Sequence, residues 1–127
     1  MPRRRRRSRA LTDAEAPVMD VLWQRRRATV ADVVAALKDK KPAPHYSTVQ
    51  TILRILETKG YVAHEKVGRA FIYRPRVDER QARRRALSHL LTRLFNGSPS
   101  LLVLNVLEDG QIDAEELKRL KKIIEDA

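Results

Sequence analysis

Apolar residues recur along this chain at spacings of three and four, except in one short central stretch where the period drops to that of a strand. Val18, Val21 and Leu22, closed by Trp23, mark a first helix. Val30, Val33, Val34 and Leu37 mark a second, which Pro42 and Pro44 forbid from continuing. Val49, Ile52, Leu53 and Leu56 mark a third, and Gly60 suits a left-handed end for it. Residues 61–67 and 71–75 then read as two β strands hinged at Gly68-Arg69, which together predict a hairpin. Helical spacing resumes with Ala86, Leu87, Leu90, Leu91, Leu94 and Phe95 and breaks at Asn96-Gly97. It restarts from Pro99 to about Asp109, and a last helix carries Leu117, Leu120, Ile123 and Ile124.

The polar positions supply matching start signals. A Ser, Thr or Asp is followed three residues later by Glu, Gln or Asp at Thr12/Glu15, Thr29/Asp32, Ser47/Gln50, Asp78/Gln81 and Asp113/Glu116. At that spacing each side chain reaches the other's backbone amide at a helix start. Ser98-Pro99 is a capping serine with proline in the first turn. The third helix is accordingly expected to begin at Ser47.

Three helices and a hairpin followed by three more helices define a mainly α chain. The first part, residues 11–77, has the layout of a winged helix-turn-helix, and residues 78–127 form a separate helical region. No internal repeat is visible. In helix-turn-helix proteins the last helix of the three lies in the major groove. Here its apolar face leaves Ser47, Thr48, Gln50, Thr51, Arg54 and Glu57 elsewhere. Gln pairs with adenine, Arg with guanine, and Thr with phosphate or a thymine methyl. His45 and Tyr46, just ahead of the helix, are placed for backbone contact.

A polar stripe alone is ordinarily a solvated face, so charge decides the reading. Lys and Arg total 27 against 16 Asp and Glu, a formal net charge of +11 over 127 residues. Such a field attracts a polyanion, with nucleic acid the first candidate and an anionic membrane the second. The cations are also concentrated. Lys66 and Arg69 sit at the hairpin tip, and residues 1–10 form an arm with Arg3, Arg4, Arg5, Arg6 and Arg7 in a row. Self-repulsion predicts a disordered arm, suited to phosphates or a narrow minor groove. Arg83, Arg84 and Arg85 crowd the fourth helix, either facing DNA or pairing with acids such as Glu79.

In the C-terminal region Leu101, Leu102, Leu104 and Leu107 belong to a segment apolar nearly all round. A helix of that kind needs cover on several sides. Two helices after a small domain offer little cover within one chain, so a second copy, through Leu90, Leu94, Leu117, Leu120 and Ile124 as well, is favoured over the chain's own winged domain as that cover. A two-fold dimer also matches two half-sites spaced by helical turns.

Other chemistry finds little support. Cysteine is absent, which removes disulfides and thiolate metal sites. The histidines, His45, His64 and His89, lack metal-ligand spacing. There is no Gly-rich phosphate loop, and no enzyme, metal or cofactor is expected. The arginine start lacks the apolar run of a signal peptide, and residues 101–107 are too short to cross a bilayer. The expectation is a soluble, cytoplasmic protein with no direct membrane binding.

Taken in order, several segments resemble the BlaI/MecI family of penicillinase repressors, from Leu11 to the C-terminus. They are Leu11 to Glu15, Val18 to Trp23, Tyr46 to Leu53, Leu56 through Lys59-Gly60-Tyr61-Val62, and Gly68 to Pro75. The resemblance implies a winged-helix dimer with interlocking C-terminal helices that binds a palindromic operator and blocks transcription. It implies base reading by Ser47, Thr48, Gln50, Thr51 and Arg54, with Arg69 on the backbone. It further implies release when a membrane sensor-transducer of β-lactams triggers cleavage in the dimerisation region, at a position matching Asn105-Val106. Val106 stands where the family typically has Phe. The absence of cysteine separates the chain from the family's copper-responsive branch, and the arginine arm lies outside the family pattern.

Two other classes stay open on the residues alone. One is a sequence-tolerant architectural nucleic-acid binder driven by the arm, and the other a membrane-surface scaffold using the basic stretch 80–93.

Overall fold

The computed structural model describes residues 10–126, so Arg3, Arg4 and Arg5 of the arm lie outside the described residues. Six helices and one hairpin follow in the order α1 (Ala16–Arg25), α2 (Val30–Ala36), α3 (Tyr46–Thr58), β1 (Val62–Val67), β2 (Ala70–Pro75), α4 (Glu79–Leu94), α5 (Pro99–Glu108) and α6 (Ala114–Glu125). The chain forms two compact units that divide between Ala86 and Leu87, inside α4. The first unit takes in the start of α4 because Ala82 is buried in its core.

The predicted start signals account for most of the helix entries. The Thr12 amide donates to Glu15 Oε1 at 2.9 Å, and the Glu15 amide donates to Thr12 Oγ1 at 3.2 Å. Thr29 and Asp32 close the same reciprocal box on α2, at 3.0 and 3.1 Å. Asp78 accepts from the Gln81 amide at 2.7 Å, one half of the pattern. The third helix departs from expectation. It begins at Tyr46 rather than Ser47, with His45 as an extended N-cap that gives no side-chain hydrogen bond. Ser47 is therefore inside the first turn, where its carbonyl accepts from Thr51 Oγ1 at 3.0 Å. The Ser47/Gln50 spacing misled because a capping pair and two helical residues of the first turn have the same separation. The first helix also runs two residues past Trp23, to Arg25.

The end of α3 sets the path into the hairpin. Gly60 has φ +86, and its amide donates to Glu57 O at 3.0 Å. The Tyr61 amide donates to Leu56 O at 2.9 Å. This double bond satisfies carbonyls that a helix end leaves open, and it packs fully buried Tyr61 onto fully buried Leu56. The strands then pair antiparallel from Val62 opposite Pro75 to Val67 opposite Ala70. Only Gly68 and Arg69 remain as the turn, with Gly68 at φ +63, a backbone state tight hairpins need at that position. A further bridge fixes the hairpin to the helices. Ala28 and Tyr73 exchange amide–carbonyl bonds of 3.0 and 2.8 Å.

Inside this first unit Met19, Leu22, Val33, Val49, Leu53 and Leu56 interdigitate as one core. Trp23 Nε1 donates to Val77 O at 2.8 Å, holding the exit from β2. The core has one charged intruder. Glu15 Oε1 lies 2.7 Å from Lys59 Nζ, with both side chains at least nine-tenths buried, and the same ammonium donates to Ala10 O at 3.2 Å.

The second unit contrasts with the first. Ser98 caps α5 through the Leu101 amide at 3.1 Å, and Asp113 caps α6 through the Glu116 amide at 2.8 Å. Asn96 and Gly97, at φ +50 and +73, end α4, where the Gly97 amide donates to Leu91 O at 2.8 Å. Among its described residues no side chain is buried. Leu90, Leu94, Leu101, Leu104, Leu107, Leu117, Leu120 and Ile124 are exposed, and Leu102 is half-buried.

Two stability predictions follow from these contacts. Removing one partner of a buried ion pair strands the other charge, so Lys59→Ala should cost about 3 kcal/mol in urea unfolding. Changing both partners, with Glu15→Gln and Lys59→Met, should recover much of that loss. At α2, acceptance of the Thr29 amide is the main force holding the Asp32 carboxyl below its ordinary value; desolvation opposes it, and the Thr29 hydroxyl and Arg25 add smaller downward pulls. A depressed carboxylate stabilises the fold above its unfolded pKa, and that contribution disappears as pH falls through the folded value. Asp32→Asn should therefore destabilise at pH 7, and its difference from wild type should shrink below about pH 4, measured by thermal unfolding across pH.

Candidate nucleic-acid interface

Helix α3 divides cleanly into two faces. Val49, Ile52, Leu53 and Leu56 point into the core, whereas Tyr46, Ser47, Thr48, Thr51 and Arg54 are exposed and Gln50 is half-buried. Because the Thr51 hydroxyl gives its proton to Ser47 O, it offers an outside partner only its oxygen lone pairs and its methyl group. The first-turn amides of α3 receive no side-chain cap from His45, which leaves them open to an anion such as a phosphate.

Tyr46, Gln50, Arg54 and Glu57 recur at helical spacing along one side of α3. That side abuts β2. The buried Tyr73 phenol is pushed above its ordinary pKa first by burial and then by the Glu57 carboxylate. Arg54 pulls the other way, and Tyr46 adds a small upward push. The hairpin continues the same surface. His64 Nδ1 lies 2.7 and 2.8 Å from the two Glu57 carboxylate oxygens. Its ring packs edge-on against Phe71, at 5.0 Å between centroids, and tilted against Tyr73 at 5.3 Å.

The cations sort into two groups. Arg27 pairs with Glu65 at 2.8 Å, Arg83 pairs with Glu79 at 2.9 Å, and the Arg85 guanidinium lies 5.1 Å from the Tyr61 ring centroid. The alternative left open for the 83–85 cluster is thus resolved for Arg83 in favour of Glu79. Lys66 and Arg69 at the hairpin end are exposed, and among the described residues neither they nor Arg54 takes part in an ion pair. Of the residues expected to meet DNA, Tyr46 through Arg54 lie on one helix and Lys66 and Arg69 on the hairpin joined to it. The arm residues Arg3, Arg4 and Arg5 lie outside the description.

Sequence reasoning missed the two side-chain links that join hairpin to helices, His64–Glu57 and Arg27–Glu65. The second pairs residues 38 apart, and no local spacing announces a partner at that distance. The first was within reach, since Glu57 and His64 are only seven residues apart across a predicted turn.

Three packed helices with an exposed polar face on the last, followed by a cationic hairpin, define a winged helix-turn-helix DNA-binding protein. Comparison with known proteins makes the class specific. The penicillinase repressor family profile matches residues 11–126, and the chain belongs to that family of DNA-binding transcriptional repressors, which are not enzymes. The penicillinase repressor of Bacillus licheniformis is 35% identical over 116 residues, spanning 91% of this chain and 90% of that one. The methicillin resistance regulatory protein MecI of Staphylococcus aureus (strain N315) is 24% identical over 115 residues, 90% of this chain and 92% of the relative. The solved DNA-binding domain of the repressor BlaI matches with a TM-score of 0.50 at 35% identity, covering 59% of this chain and 90% of that one. Among the described residues no single helix is long and apolar enough to cross a membrane.

Proposed function

We propose that the protein is a homodimeric, sequence-specific repressor that binds a palindromic operator in the cytoplasm. The observation that carries this reading is the continuity of α3's exposed polar face with the unpaired cations of the hairpin. Thr48, Gln50, Thr51 and Arg54 read base edges, while Tyr46, Ser47, the α3 amides, Lys66 and Arg69 hold phosphates. Arg3, Arg4 and Arg5 reinforce the complex electrostatically. Residues 11–77 do the reading, and residues 78–127 join two copies through the exposed leucines and isoleucines of α4, α5 and α6. Fixing two half-sites at one separation turns two weak contacts into one strong one.

Relief comes from an upstream signal, and the family supplies a membrane sensor-transducer and a cut in the dimerisation region. The corresponding bond, Asn105-Val106, is inside α5, where Asn105 Nδ2 donates to Leu101 O at 2.9 Å. A protease needs extended backbone, so a cut there requires α5 to open locally first.

The test is a footprinting titration on DNA upstream of the protein's own gene, at several salt concentrations, with random DNA as competitor. A protected dyad of two half-sites that survives competitor is the expected result. Arg54→Ala or Gln50→Ala should each reduce discrimination by about 1–3 kcal/mol. Lys66→Ala with Arg69→Ala should weaken all sequences alike and lower the salt slope by about 2. Uniform coverage without a footprint, lost on removing residues 3–9, would replace this reading with a sequence-tolerant architectural binder.

A further inference from the structure

On an isolated helix Arg54 and Glu57 are natural partners. They stand three residues apart on one side of α3, the separation at which opposite charges meet. Yet among the described residues Arg54 makes no ion pair, while both carboxylate oxygens of Glu57 lie within hydrogen-bond distance of His64 Nδ1. That imidazole is itself held from two sides, by Phe71 across the hairpin and by buried Tyr73 directly opposite in register. The hairpin thus presents one ring, held by two aromatic neighbours, to the only acidic side chain that α3 carries.

We infer that His64 is a positioning residue for DNA recognition, which frees the Arg54 guanidinium for DNA by keeping Glu57 engaged with the hairpin. The inference rests on the reading of Arg54 as a base contact and adds the device that keeps it available. Without His64, Glu57 turns to Arg54, and a guanidinium already satisfied by a carboxylate gains little from a base edge.

The experiment is a mutant cycle on the full-length protein, reading affinity for the footprinted operator and for random duplex. His64→Ala should weaken operator binding about five- to tenfold, a fraction of a full base contact, with random-duplex affinity changed less than about twofold. Adding Glu57→Gln should restore operator binding to within about twofold of wild type, because the competitor for Arg54 is gone. A role of His64 in merely stiffening the hairpin predicts no such rescue. In an Arg54→Ala background His64→Ala should cost nothing further. Glu57→Gln alone, which leaves the fold's core untouched, should bind operator at least as well as wild type. Wild-type affinity in His64→Ala, failure of the double variant to recover, or a loss in Glu57→Gln alone would each overturn the inference. If Arg54→Ala itself leaves discrimination intact, the underlying reading of α3 falls instead.

Discussion

The corner where α3 ends is held by a charge buried among apolar residues, and the placement of both cationic elements depends on it. Lys59 is the last residue before the chain turns at Gly60, and its ammonium reaches back to Glu15 at the start of α1. Glu15 in turn accepts the Thr12 amide, so its carboxylate has a fixed direction. An apolar pair of similar volume could bury comparable area. What the ion pair adds is orientation, since ammonium and carboxylate satisfy their hydrogen bonds in one arrangement. From there Tyr61 is locked under Leu56, and its carbonyl accepts the Arg76 amide at 2.7 Å. Both ends of the hairpin thereby meet at one residue, and the angle between hairpin and helix is set before any surface contact forms.

The two units of the chain solve the burial problem in different ways. The first closes a core within itself, with nine large side chains almost wholly removed from water. The second has caps, turns and amphipathic patterning but, among its described residues, nothing buried. Helices of ten and twelve residues gain little from propensity alone and persist through packing of an apolar face. Each leucine moved out of water contributes about 1.5–3 kcal/mol, and α5 and α6 carry enough of them to make association the natural remedy.

Much of this was legible in the sequence because it is local. The helices and hairpin follow from a period that changes at Gly60 and returns after Val77, and the Thr29, Ser98 and Asp113 caps are readable at three-residue range, whereas the Thr12/Glu15 pair closes the turn ahead of α1 and Glu15 itself is the N-cap. The exposed stripe of α3 follows from where Val49, Ile52, Leu53 and Leu56 must point. Its start was misplaced by one residue because Ser47, a good capping residue, was preferred to His45, which caps with backbone geometry alone. What escaped was long-range pairing. Nothing in the sequence tells that Lys59 finds Glu15 44 residues away, or that Arg27 is spent on Glu65 while Arg69 is left unpaired. Such choices depend on which charges the fold brings within reach, and a chain with 27 cations offers too many candidates.

The uncovered second unit bears on how such a repressor is released. A region without a core of its own has a stability tied to protomer concentration. In the proposed dimer, operator affinity draws on the effective concentration that linkage confers on the second winged unit. A cut at Asn105-Val106 touches neither α3 nor the hairpin, and the first unit keeps its own core. It does divide α5 close to its C-terminal end, leaving two helical pieces too short to persist without packing. In the proposed dimer the loss would fall on association, leaving each winged unit to hold its half-site alone. On that view repression is graded by the weakest-packed part of the molecule, and the part that reads DNA never has to change shape.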